Sequence, residues 1–175
     1  MPFLAPGDLY SAGLPEEAIS LSNPLVHEES LLRTSLLPGQ LKIVSYNQSH
    51  RVEDLRFFEI GHIFLPENSN GVLPDEREYL SVALVNVEVA EVVDILHLLE
   101  NELAIPNLQL IPKAFGGLHP GRSSEVRIAG QGCGQIGEVD PRVAQSYEVT
   151  GRVAWFELDL GKILSGPVGN SKYKR

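Results

Sequence analysis

The stretch "AGQGCGQIGEVDP", residues 129–141, decides how the chain is read. Gly132, Gly134 and Gly137 stand in G-x-G-x-x-G spacing. In a dinucleotide-binding loop that spacing follows a strand and opens a long helix, whose N-terminus receives the phosphates. "EVRIA" upstream supplies a strand, and an acid, Glu157, follows about twenty positions on, where a ribose-binding carboxylate would stand. The helix is what fails. "EVDP" follows Gly137, and the first residue able to cap a helix is Asp140, with Pro141 at the first helical position. Ile136 and Val139 continue a strand instead. The stretch therefore predicts a β-hairpin turning at Gly130–Gln131, with glycines that let strands approach closely, and then a short helix "PRVAQSYEV". Cys133, the single cysteine, lies inside this hairpin and reads as a small packed apolar residue rather than a nucleophile.

Outward from the hairpin, strands follow one another with helices placed irregularly between them. "EDLRFFEIGHIFLP" alternates, with Phe58, Ile60, His62 and Phe64 on one face and Phe57, Glu59 and Ile63 partly on the other. "NSNGVLPDE" is turn-rich. "EYLSVALVNV" is a continuous apolar run of strand length, and "NLQLIPKAF" and "RVAWFELDLGKIL" supply further strands, the last running into a helix or linker. The clearest helix is "EVAEVVDILHLLENELAI", where Val89, Val92, Val93, Leu96, Leu99 and Leu103 recur at three- and four-residue steps. Pro38 starts a second helix over about 38–50. "PGDLYSAGLPEEAISLSNPL" reads as loop with a short helix near Pro15–Ile19. No regular strand–helix alternation exists. The fold class is therefore α+β, a mainly antiparallel sheet flanked by helices.

Composition narrows the function classes. The chain has 175 residues, 43% of them hydrophobic, enough for a core without disulfides or metal. One cysteine permits no internal disulfide, which fits a reducing cytosol. No membrane span or signal peptide is legible. With 14 Lys+Arg against 23 Asp+Glu, the net charge of −9 opposes a phosphate backbone. The one basic cluster is the C-terminal "SKYKR", which leaves an RNA-binding tail, Lys172–Arg175, as one alternative function. The five histidines are scattered, with no H-E-x-x-H, so metal binding has little support. No G-x-S-x-G occurs. The suggestive polar loop is "LHPGRSSEVRI", where His119 and Arg122 flank a Pro120–Gly121 turn. An independent small enzyme using that loop is the second alternative, and solvated structural charges are the plainer reading.

Four stretches in order carry a resemblance: "LSNPLVHEESLLRTSLLPGQL" with "FFEIGHIF", then "LHPGRSSEVRI", then "GQIGEVDPRVAQSY", then "VAWFELDL". Together they resemble the catalytic-like B6–B7 module of the bacterial phenylalanyl-tRNA synthetase β subunit, over residues 2–165. The resemblance implies a class II aminoacyl-tRNA synthetase core-like fold. It places a catalytic-like domain at residues 1–165 and a linker toward a further domain at 166–175, and it implies that a helix and strand precede "PFLAPGDL".

The resemblance further implies a non-catalytic module, supporting an α catalytic subunit in the ATP-dependent attachment of phenylalanine to tRNA in a cytoplasmic α2β2 enzyme. The whole enzyme would use ATP and magnesium and would meet tRNA. No cofactor, catalytic or metal residue, and no membrane contact, is assigned to this chain. An active class II motif 2 carries an arginine after its leading strand, whereas here "FFEIGHIF" is followed by "LPENSNG". A motif 3 ends in arginine at a helix start, whereas "VAWFELDLGKIL" offers Lys162. Without those cations the adenylate-forming transition state lacks its electrostatic clamp. Finally, "LLRTSLLPGQL" holds more leucines than one short helix buries, so Arg33, Leu36 and Leu37 are expected at a subunit seam.

Overall fold

The computed structural model describes residues 2–66 and 73–165. In chain order the elements are β1 (Phe3–Leu4), α1 (Asp8–Ser11), β2 (Leu31–Leu32), α2 (Leu37–Ser49), β3 (Arg56–Leu65), β4 (Asp75–Val85), α3 (Val89–Glu102), β5 (Leu108–Pro112), β6 (Leu118–Ile128), β7 (Gln131–Val139), α4 (Pro141–Ser146), β8 (Val153–Asp159) and α5 (Leu160–Leu164). A 3₁₀ turn, His27–Glu29, precedes β2. Six strands form one antiparallel sheet in the order β3-β4-β8-β7-β6-β5, and β1 pairs with β2 in a small second sheet. The α+β, antiparallel architecture expected from the sequence is present.

The glycine-rich stretch is the β6–β7 hairpin. Its turn is Ala129–Gly130, both at positive φ (49° and 81°), one residue earlier than the sequence suggested. Two positive φ values in a two-residue loop give a turn whose twist matches that of the flanking strands. Gly134 and Gly137 are glycines because of their neighbours. A Cβ on Gly134 would stand 2.1 Å from the Glu157 carbonyl oxygen, and one on Gly137 would stand 2.5 Å from that of Arg122. Asp140 caps α4 by accepting from the Arg142 N–H at 2.8 Å, and the helix is shorter than expected, ending at Ser146.

Strand β8 explains the layering. It lies in the sheet interior, every residue is buried, and its alternate side chains feed two cores. Val153 and Trp155 join Leu37, Leu41, Val44 and Val139 under α2 and α4. Ala154, Phe156 and Leu158 join Val92, Leu96 and Ile136 under α3. A strand covered on both faces is expected to be an apolar run, as this one is until Glu157.

One expectation is corrected. Residues 15–19 are not helical. Leu32 donates to the Ile19 carbonyl and Leu21 to that of Ser30, so the segment spends its backbone bonds on pairing with the chain around β2. The alternation read in β3 is present, and its pairing decides which face is covered. Its register on β4 sets Phe57 opposite Ala83 and Glu59 opposite Ser81, on the α2 side. Phe58 and Ile60 therefore point outward and are 69% and 53% exposed. The 166–175 linker, the Lys172–Arg175 tail and most of "NSNGVLPDE" lie outside the described residues.

Candidate functional site

The sheet face under α2 divides into two halves. One half is the apolar core around Trp155. The other is polar, because β4, β7 and β8 turn Asp75, Arg77, Tyr79, Gln135, Glu157 and Asp159 to the same side. A cleft of ≈ 450 Å³ opens over it, walled by Leu14, Pro15, Thr34 and Ser35 and floored by Asp75, Arg77, Gln135 and Glu157.

Glu157 is the centre of this floor. Its carboxylate accepts from the Leu36 N–H at 2.9 Å, the Ser35 hydroxyl at 3.0 Å and the Gln135 amide at 3.3 Å. Burial pushes its pKa up to about 7, against those bonds and the nearby positive charge of Arg33. Ser35 in turn accepts from the Leu37 N–H at 3.1 Å. The orphan amides at the start of α2 are thus satisfied by a hydroxyl and a carboxylate from the opposite layer. Glu157 pins the helix to the sheet.

The cations around the cleft are committed within the chain. Arg77 donates twice to Asp75 Oδ2, at 2.5 and 2.9 Å, and reaches Asp159 at 3.4 Å. The first of these pairings holds the Asp75 carboxyl below its ordinary value. Lys162, where a motif 3 arginine would stand, donates from Nζ to the Gly132 carbonyl at 2.8 Å. Lys113 and Arg127 both bind Glu125, at 2.8 and 2.5 Å, and lower its pKa. Tyr79 has its pKa raised to about 12 by burial first and by the neighbouring Glu157 and Asp159 next. Among the described residues no three His, Cys, Asp or Glu side chains converge to hold a metal.

The sequence-predicted positions do not meet in this cleft. Leu36 and Leu37, expected at a seam, are fully buried within this chain and belong to its core. Arg33 is buried with them: Nη1 donates to Glu59 at 2.6 Å and Nε donates to the His62 carbonyl at 2.7 Å. The leucine excess is divided between two places: Leu31 and Leu32 form β2, while Leu36, Leu37 and Leu41 are buried at the start of α2. His119 and Arg122 lie on β6, not in a loop. The His119 ring accepts from the Gly121 N–H at 3.1 Å, while Arg122 binds both oxygens of buried Glu138, at 2.8 and 2.9 Å. Each of the two side chains is thus engaged by a partner within the chain. Cys133 is buried, donates to the Val126 carbonyl at 3.3 Å, and has its pKa raised to about 11 by burial, as a packed thiol should. Sequence reasoning passed over Glu157 as a pinning group. An acid interrupting the run "VAWFEL" was the available signal, since a buried carboxylate needs partners.

Comparison with known proteins agrees with this fold. The family model for the phenylalanyl-tRNA synthetase β chain CLM domain matches residues 1–160. The phenylalanine–tRNA ligase β subunit of Symbiobacterium thermophilum is 30% identical over 179 aligned positions, covering 92% of this chain and 20% of that protein. That of Staphylococcus haemolyticus is 35% identical, covering 90% of this chain and 21% of the relative. The chain therefore spans about a fifth of the length of these relatives. Among solved structures, a pyrrolysyl-tRNA synthetase of Desulfitobacterium hafniense superposes with a TM-score of 0.73 at 14% identity, over 100% of this chain and 64% of its own, which speaks for the shared fold alone.

Proposed function

The chain belongs to the family of the phenylalanyl-tRNA synthetase β chain CLM domain, and from that premise we propose that it is a non-catalytic module supporting an α catalytic subunit in phenylalanine–tRNA ligation. Residues 1–165 form the module, and residues 166–175 lead toward a further domain. The whole enzyme would be a cytoplasmic α2β2 assembly that takes ATP, magnesium, phenylalanine and tRNA. The relatives' names supply the ligase and the β-subunit part of this reading.

One observation carries the non-catalytic part: the polar half of the sheet face spends its cations on its own chain. Arg77 serves Asp75 and Asp159, Lys162 a β7 carbonyl, and Arg33 Glu59 and a β3 carbonyl. Adenylate formation needs cations aimed at the phosphates and already in place before charge develops. Here ATP would have to strip those cations from carboxylates while facing Glu157 and Asp75 itself. No helix among the described residues is long and apolar enough to cross a membrane.

The test is phenylalanine-dependent ATP–pyrophosphate exchange by the purified chain. The reading expects exchange at the level of a no-enzyme control. Exchange that is lost in Arg77→Ala, with host synthetase excluded, would overturn it.

A further inference from the structure

The apolar patch expected at Leu36 and Leu37 exists elsewhere, at the free edge of the sheet. On the α3 side, Phe58, Ile60, Leu80, Val82, Ile95 and Leu99 line an almost wholly apolar groove of ≈ 460 Å³. α3 packs on β8, β7 and β4, so it stops short of β3 and leaves Phe58 and Ile60 as the outer wall.

The backbone of β3 adds a second observation. Strand β3 is an edge, paired only with β4. Its outer side is identified by the chain itself: the Phe64 N–H donates to the Arg33 carbonyl at 2.8 Å, and the His62 carbonyl accepts from the Arg33 side chain. In an antiparallel strand the N–H and C=O of one residue point the same way and alternate along the chain. Phe58 and Ile60 therefore point both groups away from β4, with no partner among the described residues. Arg33 blocks the upper end of this edge only. A long apolar edge left open in this way is a template for an added strand.

The charges around the groove select the occupant. Glu76 and Glu78 continue the same face of β4, and Glu91 and Glu102 flank Ile95 and Leu99 on α3. Against them stands Arg56, itself 3.6 Å from Glu91. A second copy would press one acidic rim against another, with each chain at −9. We propose that the β3 edge at Phe58 and Ile60 docks an extended segment of another polypeptide that carries apolar residues at alternate positions and Lys or Arg between or beside them. Main-chain bonds to β3 would give affinity, and the groove would give selectivity for the alternate side chains.

A fluorescent peptide of about eight residues, an ordinary strand length, with valine at alternate positions and lysine or threonine between, tests this by anisotropy on the 175-residue chain at low salt. Two twins accompany it: one with glutamate for lysine, and one N-methylated on the amides that would face β3. The expected result is saturable binding of the basic peptide only, weakened at least about tenfold by Phe58→Lys, the loss of one apolar anchor. The proposal is overturned if the acidic or N-methylated twin binds equally well, or if no peptide binds. It is equally overturned if Phe58→Lys, folded by its melting curve, binds like wild type. Phe58-dependent dimerisation of the chain would identify a second copy as the occupant and overturn it too. The peptide twins decide the matter even if the variant does not fold.

Discussion

Glu157 and Arg33 show how single side chains here hold structure. The folded pKa of Glu157 lies near 7, above the ordinary carboxylate value, because burial outweighs its three hydrogen bonds. The folded state therefore binds more protons than the unfolded state between about pH 4.5 and 7, and stability falls as pH rises through that window. Asp140 acts oppositely. Arg142 holds its carboxyl down to about 2, so its contribution is present above the ordinary value and is lost as acid approaches pH 2. Urea midpoints should be higher at pH 5 than at pH 8, and Glu157→Gln should flatten that slope; an unchanged slope would assign it to another group. Arg33→Ala removes the partner of Glu59 and of the His62 carbonyl, so it should cost about 3 kcal/mol, the scale for breaking a buried pair. A seam residue on the surface would cost under about 0.5 kcal/mol, and denaturation of the variant separates the two. The sequence shows that Arg33 sits among leucines but not that it folds inward. Its partners lie 26 and 29 residues away, on a strand whose register no local pattern fixes.

At the scale of elements, what was legible followed local pattern and what was missed followed tertiary register. The α3 period, the Asp140–Pro141 cap and the continuous β4 run each state their own conformation, and all are present. The hairpin was legible because no helix could open before Asp140. The faces of β3 were not, since apolar residues occupy both sides of "RFFEIGHIF" and only pairing with β4 decides which side is covered. Residues 15–19 read as helical because "PEEAI" follows helix-start rules, yet pairing near β2 claims their backbone. The hairpin reading makes a sharp prediction. Gly134→Val places new atoms against the Glu157 carbonyl, so it should lose at least about 3 kcal/mol, beyond ordinary overpacking. Gly132→Ala meets only the flexible Glu125 side chain at 3.2 Å and should stay within about 1 kcal/mol of wild type by the same scale. Thermal melts of the two variants check this, and equal losses would mean that strand approach is not the reason for the glycines.

For the whole molecule, the antiparallel α+β architecture could be argued from element order before any coordinates, and the family followed from four motifs in sequence. The cleft could not be read that way. Whether Arg77, Lys162 and Arg33 are free or committed depends on contacts between strands far apart in sequence, and the proposed non-catalytic role rests on that commitment. The central claim is that the chain serves an α subunit rather than a reaction of its own. Sedimentation velocity of the chain mixed with a phenylalanyl-tRNA synthetase α subunit tests it most directly. The account predicts a faster-moving boundary containing both polypeptides. Separate boundaries for the two at every ratio, under conditions where the full β subunit does capture the α subunit, would contradict it.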